Sequence, residues 1–190
     1  IDHTSANFNS FEDYRHSLSF DGVDDYVSIT NSALDFTPDT DSRSWSIWLR
    51  PGTSIDGVEY VFGHGNCVAD ASKPGLDIAI TCYAGDCDDP RVAMSLLNCT
   101  TTEQYTSTLA ILDNQWHHIV VTIDHTYATG GAKFFWRVYF DGAMAAALTS
   151  TSTSSFAGPL YLGKDSLGGD PSYTGLLDDF SYWTTELDAT

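Results

Sequence analysis

Apolar and polar residues alternate in short runs along almost the whole chain, and Gly, Pro, Asn and Asp cluster between the runs. The clearest runs are "SLSFDG", "DYVSIT", "SWSIWLRP", "EYVFGHG", "LDIAIT", "VAMSLLN", "WHHIVVTIDH", "KFFWRVYFDG", "PLYLGK" and "GLLDDFSYW". Alternation with a period of two indicates β-strands, and no long helical period appears. The pattern therefore predicts an all-β fold of two packed antiparallel sheets, as in a sandwich or jelly roll.

Two of these runs predict which side chains form the core. In "FFWRVYFDG" one face carries Phe134, Trp136, Val138 and Phe140. In "WSIWLRP" large apolar groups occupy both faces, so we expect a central strand. The Ser/Thr run at residues 149–156 is short and leads into another strand, which favours a loop or an edge strand.

Size and charge narrow the classes of protein. The chain has 190 residues, 42% of them hydrophobic, which predicts one domain over residues 1–190. Its net charge of -18 opposes binding to nucleic acid or to an anionic membrane, and leaves cations, neutral ligands and basic partners. No apolar run is long enough to span a bilayer, so we expect no membrane insertion. The start "IDHTSANFNSF" lacks Met and a signal-peptide core, which indicates a mature or excised chain.

Four cysteines lie within one segment and lack the paired C-x-x-C spacing of structural zinc sites. Disulfides are the favoured interpretation, with free thiols as the alternative. If the surrounding runs form a meander, hairpin geometry favours the pairs Cys67–Cys99 and Cys82–Cys87. The sequon "NCT" makes Asn98 a candidate glycosylation site, and both features agree with a secreted protein.

Four segments in order resemble the laminin-G-like jelly rolls of the concanavalin A-like superfamily: "LSFDGVDDYVSI", "SWSIWLRP", "WHHIVVTID…VYFDG" and "LYLGK…YTGLLDDFSYW". They span residues 18 to 183. The resemblance implies two antiparallel sheets with short ligand loops at their edges. The family commonly continues with a helical tail, and this chain stops at "TTELDAT", so we expect a fragment of a larger protein.

The carboxylates of "GLLDDFSYW" need an explanation, because an uncompensated charge in a buried strand is costly. The resemblance implies a structural calcium ion bound by Asp178 and by Asp21 of the "FDG" turn. Calcium takes about 6–8 oxygen ligands, so other residues must contribute. The reserve ligands are Gly22, Asp24, Asp25 and Asp179.

Strand alternation separates the two carboxylates. It predicts that Asp178 shares a face with Leu176, Phe180 and Tyr182, while Asp179 points to the opposite face. Only one of them then has to be buried. The alternative without a metal is an exposed Asp179 and an Asp178 satisfied by backbone amides or a hydroxyl.

Catalysis has little support in the sequence. The E-x-D-x-x-E pattern of laminarinase-type hydrolases is absent, since the glutamates are Glu12, Glu59, Glu103 and Glu186. A paired-Asp hydrolase stays open, because folding can bring distant carboxyls together. His117 and His118 point to opposite faces of a strand, so we expect packing or hydrogen-bonding roles rather than a paired metal site.

The leading hypothesis is a non-catalytic extracellular recognition module, glycan-binding or adhesive, with a glycan or an extracellular protein as partner. The alternative is a structural module that joins copies of its parent protein by self-assembly, and a glycoside hydrolase is the third. Tyrosines suited either to stacking on sugars or to packing are Tyr60, Tyr83, Tyr105, Tyr139 and Tyr173.

Overall fold

The structure is a computed structural model. It describes residues 2–4, 7–10, 16–65, 75–83, 85–97, 102–111, 113–126, 132–150, 155–167, 169 and 173–188. Within these ranges no helix combines the length and apolarity that a membrane span requires.

The described residues form β-strands joined by turns and one short 3-10 helix, Ser32–Leu34. The strands are β1 (Asp2–Thr4), β2 (Asn7–Ser10), β3 (His16–Asp21), β4 (Tyr26–Ile29), β5 (Arg43–Pro51), β6 (Val58–Gly65), β7 (Gly75–Tyr83), β8 (Asp86–Leu97), β9 (Thr102–Ala110), β10 (His117–Asp124), β11 (Phe134–Phe140), β12 (Ala143–Ser150), β13 (Leu160–Leu162) and β14 (Thr174–Trp183).

The strands pair into two seven-stranded sheets, which we call sheet A and sheet B. Sheet A has the order β1-β4-β13-β6-β7-β8-β9, and sheet B has the order β12-β11-β10-β5-β14-β3-β2. The pairings between these strands run antiparallel in both sheets. The two-sheet jelly roll predicted from alternation is confirmed.

The core lies between the sheets and follows the predicted faces. All four predicted inward residues of β11 are buried, as are Trp45, Ile47 and Leu49 of β5. Strand β5 lies between β10 and β14 and is central, as predicted. Trp48 points to the other face of the same strand and is exposed. Sheet B therefore has an apolar inner face and an outer face that carries a tryptophan.

Strand β12 was not recognised from the sequence. "AMAAALTS" has little β-branched or aromatic content, so its pattern predicts no strand. It forms the edge of sheet B and pairs only with β11 among the described strands. The predicted loop or edge strand over residues 149–156 is thus an edge strand to Ser150, with Phe156 bridged to Phe36.

The central part of sheet A is the predicted meander, in which β6, β7 and β8 follow one another as antiparallel neighbours. A disulfide joins Cys82 and Cys87 across the β7–β8 turn, with their Cα atoms 4.3 Å apart. This is one of the two pairs favoured by hairpin geometry. Cys67, Cys99 and Asn98 lie outside the described residues.

Strand β14 contains a bulge that the alternation did not predict. The register against β5 shifts between Asp178 and Ser181, and Asp179 has a φ of 46°. Leu177 is in the core on one side of the bulge, and Phe180 and Tyr182 pack against the same core on the other. The predicted shared face of Asp178 and Phe180 is therefore wrong, because the extra residue reverses the alternation.

Candidate binding site

Three carboxylates converge at the turn between β3 and β4, which we call the acidic turn. Ligand oxygens of Asp21, Asp24 and Asp25 all lie within 4.8 Å of one another. Asp21 accepts a hydrogen bond from the amide of Val23, and the buried Asp25 accepts one from the amide of Asp21. Gly22 has a φ of 79°, which lets the chain reverse here.

The acidic turn passes a simple geometric test for a hard cation. Two oxygens that bind one Ca²⁺ at about 2.3–2.6 Å can be at most about 5 Å apart. The three carboxylates satisfy this limit and offer the oxygen ligands that calcium prefers. A divalent ion would also offset the repulsion among three neighbouring negative charges.

The structure does not bring Asp178 to the acidic turn. Asp21 pairs with Thr174, four residues before Asp178 on β14. At about 3.4 Å per residue, Asp178 is roughly 14 Å farther along the sheet. Asp178 is instead half-buried, and its Oδ1 accepts the backbone amide of the exposed Asp179. The amide of Asp179 thus supplies a backbone hydrogen bond to Asp178.

The spacing of "DGVDD" carried a signal for the acidic turn. Asp21, Gly22, Asp24 and Asp25 fall within five consecutive residues, and a glycine at the second position permits a tight reversal. Such a reversal folds the carboxylates towards one another. The sequence interpretation held Asp24 and Asp25 in reserve because the family resemblance pointed to the more distant Asp178.

The outer face of sheet B carries an exposed aromatic pair. Trp48 is 39% exposed, and its ring stacks on that of His118 with centroids 4.8 Å apart and planes 19° apart. Cross-strand register explains the pair, because His118 of β10 lies directly opposite Trp48. On the other side of Trp48, Asp178 of β14 lies directly opposite. Trp48 therefore stands between an imidazole and a carboxylate.

A hydrogen-bonded network holds the backbone beside His118. Asp141, in the turn between β11 and β12, accepts the amide of His118 through Oδ1 and contacts Nδ1 of His117 through Oδ2. Asp113 contacts Nε2 of the same buried ring. Burial alone would lower the pKa of His117, but these carboxylates outweigh it and raise the pKa. The expected hydrogen-bonding role of His117 is confirmed.

The tyrosines differ in their availability to a ligand. Tyr173 is 0% exposed and its hydroxyl donates to the carbonyl of Leu176, so of the two alternatives, stacking on a sugar or packing, it has the packing role. Burial also raises the pKa of that hydroxyl. Tyr139 is half-exposed on the outer face of sheet B, and Tyr60 is half-exposed on β6. The side chains of Tyr83 and Tyr105 lie outside the described set.

A pocket of about 300 Å³ lies beside the bulge of β14. Its lining residues are His16, Leu18, Val27, Leu162, Leu177, Asp178, Asp179 and Phe180. Most of them are core side chains of both sheets. We interpret the pocket as a packing gap beside the bulge.

Two buried ionisable groups lie away from this surface and have strongly shifted pKa values. Burial lowers the pKa of His64 to about 4, although Asp35 acts in the opposite direction. Burial raises the pKa of Asp77 to about 7, and the hydrogen bond from the amide of Ser166 only partly offsets it. Both groups are suited to the neutral form, so they bear on stability more than on ligand binding.

Comparison with protein families gives one match across most of the chain. The family model called Laminin G 3, described as "Concanavalin A-like lectin/glucanases superfamily", matches residues 21–190. No curated protein sequence matches this chain significantly.

Solved structures show the same fold at low sequence identity. The CBM40 domain of the Ruminococcus gnavus IT-sialidase has a TM-score of 0.65 at 11% identity, over 92% of this chain and 93% of that one. Domain 4 of the Geobacillus stearothermophilus arabinanase AbnA, in complex with arabinotriose, has a TM-score of 0.63 at 16% identity, over 98% and 78%. Mouse laminin alpha1 domains LG4-5 have a TM-score of 0.59 at 10% identity, over 88% of this chain and 41% of that one.

Proposed function

Because this chain belongs to the laminin-G-like family of the concanavalin A-like lectin/glucanase superfamily, we propose that it is a non-catalytic extracellular module that binds glycans. The observation that carries the proposal is the exposed Trp48 stacked on His118 on the outer face of sheet B. An exposed indole leaves apolar surface in contact with water. The C–H face of a sugar ring can cover such an aromatic surface.

Two of the similar folds support the glycan hypothesis by analogy. One is a domain named as a CBM of a sialidase, and the other was solved with arabinotriose. Their identity to this chain is 16% or less, so the analogy concerns the kind of ligand that the fold can hold. The net charge of -18 favours neutral or cationic ligands over anionic ones.

The arrangement of the glutamates favours binding over hydrolysis. Glu59 is buried, and its Oε2 accepts a hydrogen bond from the amide of Thr174. Glu186 forms an ion pair with Arg137. Hydrolysis of a glycoside by the usual route needs two carboxyls about 5–9.5 Å apart on either side of the sugar bond. These two glutamates are engaged elsewhere, and Glu12 and Glu103 lie outside the described side chains.

One observation favours the alternative of an assembly module. Met144 is 61% exposed on β12, which is the edge strand of sheet B. An exposed apolar side chain at the edge of a sheet offers contact area to a second copy of the chain. Self-association through β12 is therefore the second candidate function.

A glycan array run beside a measurement of molar mass separates these candidates. We expect glycan signals above background, with a monomer in light scattering coupled to gel filtration. A blank array together with a dimer or larger species would favour assembly, and release of reducing sugar from a polysaccharide would show that the protein is a hydrolase.

We also propose that the acidic turn binds one structural calcium ion through Asp21, Asp24 and Asp25. If the ion binds the folded state alone, saturating calcium adds stability, and its removal by a chelator should lower the melting temperature by about 5 °C. Differential scanning calorimetry with calcium or with EGTA measures this shift.

Two variants locate the calcium site. Asp24→Asn should lose most of the calcium-dependent shift, because it removes a charged ligand from the acidic turn without touching the two hydrogen bonds of the turn. Asp178→Asn should keep the full shift, because this carboxylate lies far along β14. The reverse outcome would restore the Asp21–Asp178 site, and an unchanged melting temperature in the wild type would remove calcium altogether.

A further inference from the structure

We propose that Trp48 and Asp178 form a subsite for one uncharged sugar ring on the outer face of sheet B. The inference rests on the proposed glycan-binding function, and adds to it the position of the site and the class of sugar. It uses the three-strand register β10-β5-β14, in which His118, Trp48 and Asp178 occupy one row.

The row leaves one side of the indole available to a ligand. His118 stacks on Trp48 from the β10 side, so the imidazole covers that side of the indole. The opposite neighbour in the row is Asp178, a shorter side chain that cannot cover an indole. Trp48 is 39% exposed, and its neighbour on the β14 side is this carboxylate. Directly opposed residues on antiparallel strands have Cβ atoms about 4.5–5.5 Å apart, so both groups can touch one small ring.

The bulge determines how Asp178 is presented. Leu177 points into the core, so Asp178 points to the outer face, where a regular strand would next bring Asp179 inward. Asp179 instead adopts a φ of 46° and stays exposed. Its amide donates to Oδ1 of Asp178 over 2.8 Å, which restrains the carboxylate and leaves Oδ2 as a further acceptor. Bulges commonly redirect a side chain in this way at functional sites.

The chemistry of the row selects a neutral saccharide. The indole supplies an apolar surface for the C–H face of a sugar, and the carboxylate accepts hydrogen bonds from sugar hydroxyls. Asp178 and the exposed Asp179 would repel a sialic acid or a uronic acid at this distance. A flat protein partner is less suited, because the next row of β5 and β14 carries the small polar residues Ser46 and Ser181 rather than a wide apolar patch.

The test uses arabinotriose, cellotetraose, lactose and 3′-sialyllactose as probes for the whole chain in isothermal titration calorimetry. We expect binding of at least one of the three neutral probes and none of 3′-sialyllactose. Trp48→Ala should weaken neutral binding at least about tenfold, and Trp48→Phe should recover part of it. Asp178→Ala should also weaken it about tenfold, through the lost acceptor.

Trp116→Ala is the matched control, because Trp116 is 38% exposed and lies before β10, outside the row. We expect the affinity of the Trp116→Ala variant for the neutral probes to stay within about twofold of the wild type. Thermal melting checks that every variant is folded. Sugar binding that survives in folded Trp48→Ala and Asp178→Ala would overturn the subsite and leave the proposed function intact. Preference for 3′-sialyllactose would overturn the ligand class, and failure of the wild type to bind any probe or any array glycan would overturn both.

Discussion

Replacing Gly175 with alanine should lower the free energy of unfolding by about 4 kcal/mol, through overpacking and backbone strain together. Gly175 is the second residue of β14 and has a φ of 143°, a conformation that side-chain-bearing residues rarely adopt. A Cβ at this position would lie 2.4 Å from the carbonyl oxygen of Arg50 and 3.0 Å from the hydroxyl of Tyr173. The first contact is with backbone of the central strand, which cannot move aside cheaply. Urea denaturation followed by tryptophan fluorescence measures the loss.

Gly57→Ala separates the two causes of this loss. Gly57 also has a positive φ, 92°, but nothing lies within 4 Å of its added Cβ. Gly57→Ala should therefore lower the free energy of unfolding by only about 1–2 kcal/mol, which is the cost of backbone strain without a steric clash. Equal costs for the two variants would mean that the close approach of β14 to β5 at Gly175 contributes nothing.

Replacing Asp77 with asparagine should stabilise the protein at pH 8 by about 4 kcal/mol and have little effect below pH 4. The pKa of this carboxyl rises from 3.8 to about 7 on folding, chiefly because of burial. A group whose pKa is raised on folding holds its proton more tightly in the folded state. The folded state is therefore penalised progressively as pH rises from 3.8 towards 7, and the penalty is complete above that value. An amide stays neutral at every pH and can keep the acceptor for the amide of Ser166.

The comparison must be made at each pH between variant and wild type. His64 has the opposite dependence, because a histidine whose pKa falls to about 4 costs stability as pH drops below 6.5. The two effects overlap in the pH profile of the wild type and partly cancel. The difference in the free energy of unfolding between variant and wild type at each pH isolates the contribution of Asp77. Chemical denaturation of both proteins at pH 4, 6 and 8 measures this difference. An Asp77→Asn variant less stable than the wild type at pH 8 would show that the carboxylate is charged and well compensated in the fold.

The strands and their faces could be predicted because burial on one side imposes a period of two. This held for β5 and β11, whose inward residues alternate without interruption. It failed within β14, where Asp179 takes a left-handed conformation that costs an ordinary residue free energy. Aspartate tolerates that conformation better than most residues, but "LLDDF" reads equally well as an unbroken strand. Alternation did not predict edge strand β12 for another reason. Its half-exposed positions leave little alternation of apolar and polar residues.

The candidate sites could be predicted only where they are local in sequence. The acidic turn lies within five residues, and its members were on the predicted ligand list. The row of His118, Trp48 and Asp178 joins three strands that are distant in the chain. Its formation depends on strand order and on register to the single residue. Neither quantity follows from alternation, since a sheet can bury the same faces in several orders.

The order of strands also bears on how the protein is made. In sheet B, β14 lies between β5 and β3, and in sheet A, β13 lies between β4 and β6. A growing chain thus has to keep the partner edges of four early strands unpaired until residues 160–183 have left the ribosome. Such non-local pairing slows folding, and until it forms the strand edges stay unpaired and prone to aggregation. Folding of this domain should consequently wait until β14 has been synthesised, and truncation before β14 should yield an aggregating chain rather than a smaller domain.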